Sequence, residues 1–224
     1  LNMYENYPFW HAFLTALGYS VMLSPPSSQD SFRLGMDSIP SESVCYPAKL
    51  VHGHIQALID AGCATIFYPS IAYEEREFAG ADNRFNCPIV TSYPEVIRNN
   101  MEEIRKKGIR FLHPFLDLGD RKQLPRLLTE TFSQDAIPQE EIRSALKKAW
   151  EADKAFREDL ARKGKETLQW MRAHQVPGIV LAGRPYHCDP EINHGLPQLI
   201  ASLGMAVLTE ESVAYQGQLK RPLR

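Results

Sequence analysis

Four cysteines, Cys45, Cys63, Cys87 and Cys188, are the residues of this 224-residue chain best suited to metal or redox chemistry. They form no CxxC pair and are too sparse for a disulfide-stapled scaffold, so they read as reduced thiols of a cytoplasmic protein. Cys45 stands just ahead of Pro47, which suits the first turn of a helix. At such an N-terminus the dipole and the free backbone N–H groups favour a thiolate, the form that ligates metal. Cys87, in Asn86-Cys87-Pro88, has the same setting. Each is equally well described as a small residue packing a loop, because free cysteine is among the most buried residue types. Cys63 follows a helix-closing glycine and precedes an apolar run, which predicts a buried thiol distant from the other two. For Cys188, beside His187 and Asp189, ligation and chance stay open.

The histidines offer a second chemistry. His52 and His54 are two apart on an expected helix, which turns their rings about 200° from each other and away from a shared ion. His187, Asp189 and His194 cluster around a helix start and could serve a metal-dependent hydrolase, although their spacing matches no standard zinc pattern. A cap built from Asp189 and Pro190 explains half of that cluster without function. Arg184 and His187, after a strand and near a helix start, form a candidate anion-binding pair. No P-loop, GxGxxG fingerprint, GxSxG elbow or zinc ribbon is present, so no ATP site is expected in this segment.

The elements that must position these groups alternate between short apolar strands and amphipathic helices, the pattern of an α/β fold with parallel sheets. Helices are expected at Phe9 to Leu17, Pro47 to Asp60, Pro94 to Lys107 and Pro190 to Leu203. Strands are expected at Tyr19 to Leu23, Ala64 to Tyr68, Ile109 to Leu112, Gly178 to Ala182 and Met205 to Leu208. Residues 120 to 175 are charged and strand-poor; from Pro138 to His174 they predict one long helix with a break at Gly164. The expected organisation is a first α/β domain over 1–118, a helical connector over 119–176 and the start of a second, incomplete α/β domain over 177–224. A net charge of −2 leaves no electrostatic footprint for nucleic acid. No apolar run approaches the roughly 20 residues of a membrane helix.

Several runs together resemble a known family. They are Asn2-Met3-Tyr4-Glu5-Asn6-Tyr7-Pro8-Phe9-Trp10, Pro40-Ser41-Glu42-Ser43-Val44-Cys45-Tyr46-Pro47-Ala48-Lys49, Asn86-Cys87-Pro88-Ile89-Val90-Thr91-Ser92-Tyr93-Pro94, Ala182-Gly183-Arg184-Pro185-Tyr186-His187 and Asp189-Pro190-Glu191-Ile192-Asn193-His194-Gly195. The chain is similar in them to a domain of the large activators of (R)-2-hydroxyglutaryl-CoA dehydratase. That resemblance implies flavodoxin-like (Rossmann-like) α/β units and an iron–sulfur cluster held between them. It further implies electron transfer with ATP-binding activase domains and dehydratase-like subunits as partners. Cys45 and Cys87 match the family's cysteine motifs, whereas Ser70 stands where a third cysteine falls. Serine oxygen is a harder and poorer donor to a 4Fe–4S cluster than thiolate. The expectation is a redox module that is not a complete enzyme alone, holding its cluster through Cys45, Cys87 and Ser70 or an external ligand. The alternative is a cluster-free scaffold that docks partner domains of the same large protein.

Overall fold

The computed structural model describes residues 1–75 and 83–214. The first helix, α1 (Met3–Ala16), puts Phe9, Trp10 and Phe13 on one buried face. Its successor α2 (Gln29–Gly35) starts at a reciprocal capping box between Ser28 and Ser31. Next, α3 (Tyr46–Asp60) leads into β1 (Thr65–Phe67) and β2 (Ser70–Tyr73). Then α4 (Pro88–Asn100), α5 (Glu102–Lys106), β3 (Arg110–Leu112) and β4 (Phe115–Asp117) follow in order.

β1 pairs in parallel with β3, and β2 in parallel with β4. These are two segments of one ribbon, because Phe67 faces Leu112 and Ser70 faces Phe115 at the same offset. Between the segments, Tyr68 N–H donates to the Leu112 carbonyl at 2.8 Å and Ser70 N–H to the Pro114 carbonyl at 2.9 Å. Pro69 and Pro114 interrupt the ladder without ending it, since neither has an N–H to give. Residues alternate between two layers along the ribbon, as a pleated strand requires. Ile71, Leu116 and Phe67 pack with α1, α6 and α7, whereas Ile66, Tyr68 and Phe111 pack with α3, α4 and α5.

The strand-poor stretch is helical. It contains α6 (Leu124–Thr131) and α7 (Gln139–His174), a single helix of 36 residues. Ile142, Ala145, Leu146 and Ala149 of α7 join the core beneath α1. The chain continues through β5 (Gly178–Leu181), α8 (Leu196–Ser202), β6 (Ala206–Thr209) and α9 (Glu210–Val213), with β5 and β6 again parallel. The protein is therefore an α/β fold with parallel strands.

Five local expectations are corrected. Tyr19–Leu23 forms no strand. The helix expected from Pro94 starts instead at Cys87-Pro88, where proline takes the first turn, and is interrupted at Met101, whose ψ of 95° is extended. The helix expected from Pro190 begins only at Leu196, after His194 and Gly195 both take left-handed backbone. Cys63 is half-buried, its thiol 3.8 Å from the Met22 sulfur. Gly164 does not break α7. It is buried because α9 lies against it, and a Cβ there would stand 1.9 Å from the Ser212 carbonyl oxygen.

Gly164→Ala therefore improves helix propensity and still forces α9 away. Overpacking of this kind costs about 1–3 kcal/mol, against a propensity gain of about 1 kcal/mol. The variant is expected to unfold at lower urea concentration than the parent. A raised midpoint would mean that α9 yields freely.

Candidate functional site

Cys45 and Cys87 occupy equivalent positions. Cys45 is the N-cap of α3 and Cys87 the N-cap of α4, and in each case proline sits in the first turn. Both thiols are exposed. Each stands at the positive end of a helix dipole, where negative charge is favoured. Tyr186 lies in the short turn Pro185–Cys188. Burial raises the Tyr186 phenol pKa most, Arg184 opposes that rise, and the charges of Cys45 and Cys87 both add to it.

A polar chain sets the Cys87 loop. Asn86 donates from Nδ2 to the Ile71 carbonyl at 3.1 Å and to Glu74 Oε1 at 2.6 Å. Asn6 donates to the other oxygen of Glu74 at 3.2 Å. The Glu74 carboxyl is raised from its ordinary value by burial, with hydrogen bonds from Asn86 and Asn6 and the charge of Arg184 opposing. Arg184 completes the chain by donating to Asn86 Oδ1. The guanidinium singled out for anion binding is thus held against the residue next to Cys87. His187, its suggested companion, is exposed and lies over Gly183.

Ser70 opens β2 within the ribbon, just past the interruption at Pro69, rather than following the last strand residue. Its side chain is fully buried and its hydroxyl has no hydrogen-bond partner. An orphaned buried hydroxyl costs about 1–3 kcal/mol, so this oxygen is a donor and acceptor in search of a partner. Among the described residues, no three His, Cys, Asp or Glu side chains converge as a metal site.

A second polar cluster ties 189–191 to the first half of the chain. Asp189 is 1% exposed and accepts from Tyr4 Oη and Ser27 Oγ, both at 2.5 Å. It also accepts from the backbone N–H groups of Glu191 and Ile192 at 3.0 and 3.1 Å. Burial alone would raise its pKa, but these four donors more than offset that and hold the carboxyl below its ordinary value. Glu191 accepts from Tyr46, the neighbour of Cys45, at 2.8 Å and from Gln29 at 2.6 Å.

The two histidines of α3 point to different partners. His52 is fully buried between Ser38 Oγ at 2.7 Å and Tyr93 Oη at 3.0 Å. His54 lies between Ser24 Oγ and Ser27 Oγ, both at 2.8 Å. In the suggested hydrolase trio, Asp189 has its oxygens taken by these four donors, while His187 and His194 are exposed. Sequence reasoning missed Asn86, Glu74 and Tyr186, although Asn86 and Tyr186 lie inside the runs quoted above. Glu74 gives no local signal, because its side-chain hydrogen-bond partners come from α1 and from the loop that precedes α4.

A family model described as the CoA enzyme activase uncharacterised domain matches residues 1–213. Comparisons with curated proteins and with solved structures returned no match.

Proposed function

Because the chain belongs to the CoA enzyme activase uncharacterised domain family, we propose that it is an iron–sulfur electron-transfer module of an activator of 2-hydroxyacyl-CoA dehydratases. Its partners in this reading are ATP-binding activase domains and dehydratase-like subunits. The observation that carries it is the pair of exposed thiols, Cys45 and Cys87, each the N-cap of a helix with proline in its first turn. The residues fit a cluster in kind and fall short in number. A 4Fe–4S cluster takes four thiolates, and this site presents two. The other ligands come from cysteines outside this chain, with the unpartnered Ser70 hydroxyl as a weaker oxygen donor.

When bound, such a cluster supplies one-electron transfer at a potential set by hydrogen bonds and burial. The chain's own contribution is to hold two sulfurs at helix N-termini. Asn86, fixed by Glu74 and Arg184, keeps the Cys87 loop in place. Tyr46, bonded to Glu191, does the same beside Cys45.

The test is iron and acid-labile sulfide after anaerobic reconstitution. The parent is expected to hold substoichiometric iron, Ser70→Cys more, and Cys45→Ser/Cys87→Ser essentially none. Equal iron in the parent and the double variant would remove the proposal. The absence of three converging metal-capable side chains among the described residues favours a second reading, a scaffold that docks partner domains without a cluster. On that reading none of these variants binds iron, and the double variant still associates with the activase domains.

A further inference from the structure

His54 is held between two hydroxyls, and the count of hydrogens around it fixes its tautomer. The Asp189 carboxylate accepts from Ser27 Oγ at 2.5 Å. A serine hydroxyl has one hydrogen to give. With that hydrogen committed to Asp189, Ser27 Oγ meets His54 Nε2, 2.8 Å away, as an acceptor, so Nε2 carries the ring proton. The neutral ring then has a bare Nδ1, and the group facing it at 2.8 Å is the Ser24 hydroxyl. Burial lowers the His54 pKa from its ordinary value, which keeps the ring neutral at pH 7. Ser24 thus donates to a base, and a buried carboxylate orients that base through Ser27. These are the three parts of an activated nucleophile.

The surroundings suit a reaction. Ser24, Ser27, His54 and Asp189 all line one cleft of about 510 Å³, whose apolar wall includes Met22, Ile55 and Leu58. Ser24 is followed by Pro25 and Pro26, which favour extended backbone at Ser24 and stiffen the loop that carries it. Residues 20–27 make no backbone hydrogen bond among the described residues, so the Ser24 N–H is available to a developing oxyanion.

We propose that Ser24 is the nucleophile of a hydrolytic site that acts on carboxylic esters with an aliphatic acyl chain. Ser24 Oγ attacks the ester carbonyl carbon as its proton passes to His54 Nδ1, and the carbonyl π pair moves onto oxygen. When that adduct collapses, the bond to the leaving alkoxide breaks and Nδ1 gives it the proton. An alcohol departs and Ser24 is left acylated. Water then loses a proton to Nδ1 as its oxygen bonds to the acyl carbon. The acyl bond to Ser24 Oγ breaks, Oγ takes the proton back, and a carboxylic acid leaves. The acyl chain lies against the apolar wall, which favours it over polar acyl groups. Asp189 touches no reacting atom. Through Ser27 it fixes the tautomer and steadies the imidazolium, which makes it a positioning residue. Neither Cys45 nor Cys87 lines this cleft, so the site stands or falls independently of a bound cluster.

The test treats the whole chain with a fluorophosphonate and, separately, with 4-nitrophenyl butyrate, and maps the adducts by peptide mass spectrometry. Phosphonyl and butyryl groups are expected on Ser24, with release of 4-nitrophenol. His54→Gln should slow both reactions about 100-fold or more, the usual share of a general base. Ser24→Ala should remove the adducts and the release above the solvent background. Ser24→Cys covers the case in which alanine upsets folding, and it should still carry the butyryl group at position 24. Adducts on other residues alone would overturn the proposal. So would 4-nitrophenol release by Ser24→Ala equal to the parent's, or equal labelling of Ser24 in the parent and in His54→Gln.

Discussion

Asp189→Ala is expected to destabilise the protein by about 3–5 kcal/mol. The substitution strands four donors at once: the hydroxyls of Tyr4 and Ser27 and the N–H groups of Glu191 and Ile192. Hydrogen bonds to a charged group contribute about 1.5–3 kcal/mol each, and the buried Ser27 hydroxyl loses one of its partners as well. The sum is less than four such bonds, because water enters the vacated volume and satisfies some of the donors. Ser27 is also a partner of His54, so the loss spreads to α3. Asp189→Asn keeps the volume and one acceptor oxygen and should lose less than half as much. Urea unfolding of the three proteins checks this, and equal midpoints for Asp189→Ala and the parent would show that the cluster is incidental.

Lowering the pH from 6.5 to 4 should cost the folded chain about 3 kcal/mol through His52 alone. Burial lowers the His52 pKa from 6.5 to about 4. The unfolded chain therefore takes up a proton near pH 6.5 that the folded chain refuses until about pH 4. Stability is fully present above 6.5, erodes as the pH falls through that window and has lost its His52 share below 4. Each pKa unit is worth about 1.4 kcal/mol, which gives the magnitude. His52→Gln cannot take up that proton and should flatten the urea-midpoint profile between pH 6.5 and 4. A variant profile as steep as the parent's would assign the acid sensitivity elsewhere. Asp189 acts in the same direction, because its carboxyl is held below its ordinary value and its share is lost only at still lower pH.

The candidate site was readable where chemistry is local. Proline after Cys45 announces a helix N-terminus, and Cys45 is its N-cap; Cys87 is the N-cap of α4 as well, although the sequence places that helix start only at Pro94. It was misread where one residue type has two structural uses. Pro69 looked like the end of a strand and put Ser70 beyond it, but the parallel ladder passes through both prolines because the bonds on either side of them close. Gly164 looked like a helix break, whereas its missing side chain admits α9. Asp189 does cap the turn that follows it, as the sequence suggested. Its other two partners lie 185 and 162 positions away, and no window of sequence contains them. Tyr19–Leu23 has the composition of a strand, yet a strand is a property of two segments, and among the described residues no second segment pairs with it through the backbone.

The Ser27–Asp189 bond has a consequence for how the protein comes into being. Its two ends are 162 positions apart in the chain. A ribosome adding about 5–20 residues per second needs roughly 8–30 s to pass from one to the other. For that interval Tyr4 and Ser27 are on a nascent chain whose α1, α3 and ribbon can already pack, while the carboxylate that unites them has not yet been made. The first half must wait in a partly latched state, and chaperone dependence or co-translational proteolysis should concentrate in the segment from Tyr19 to Ser28.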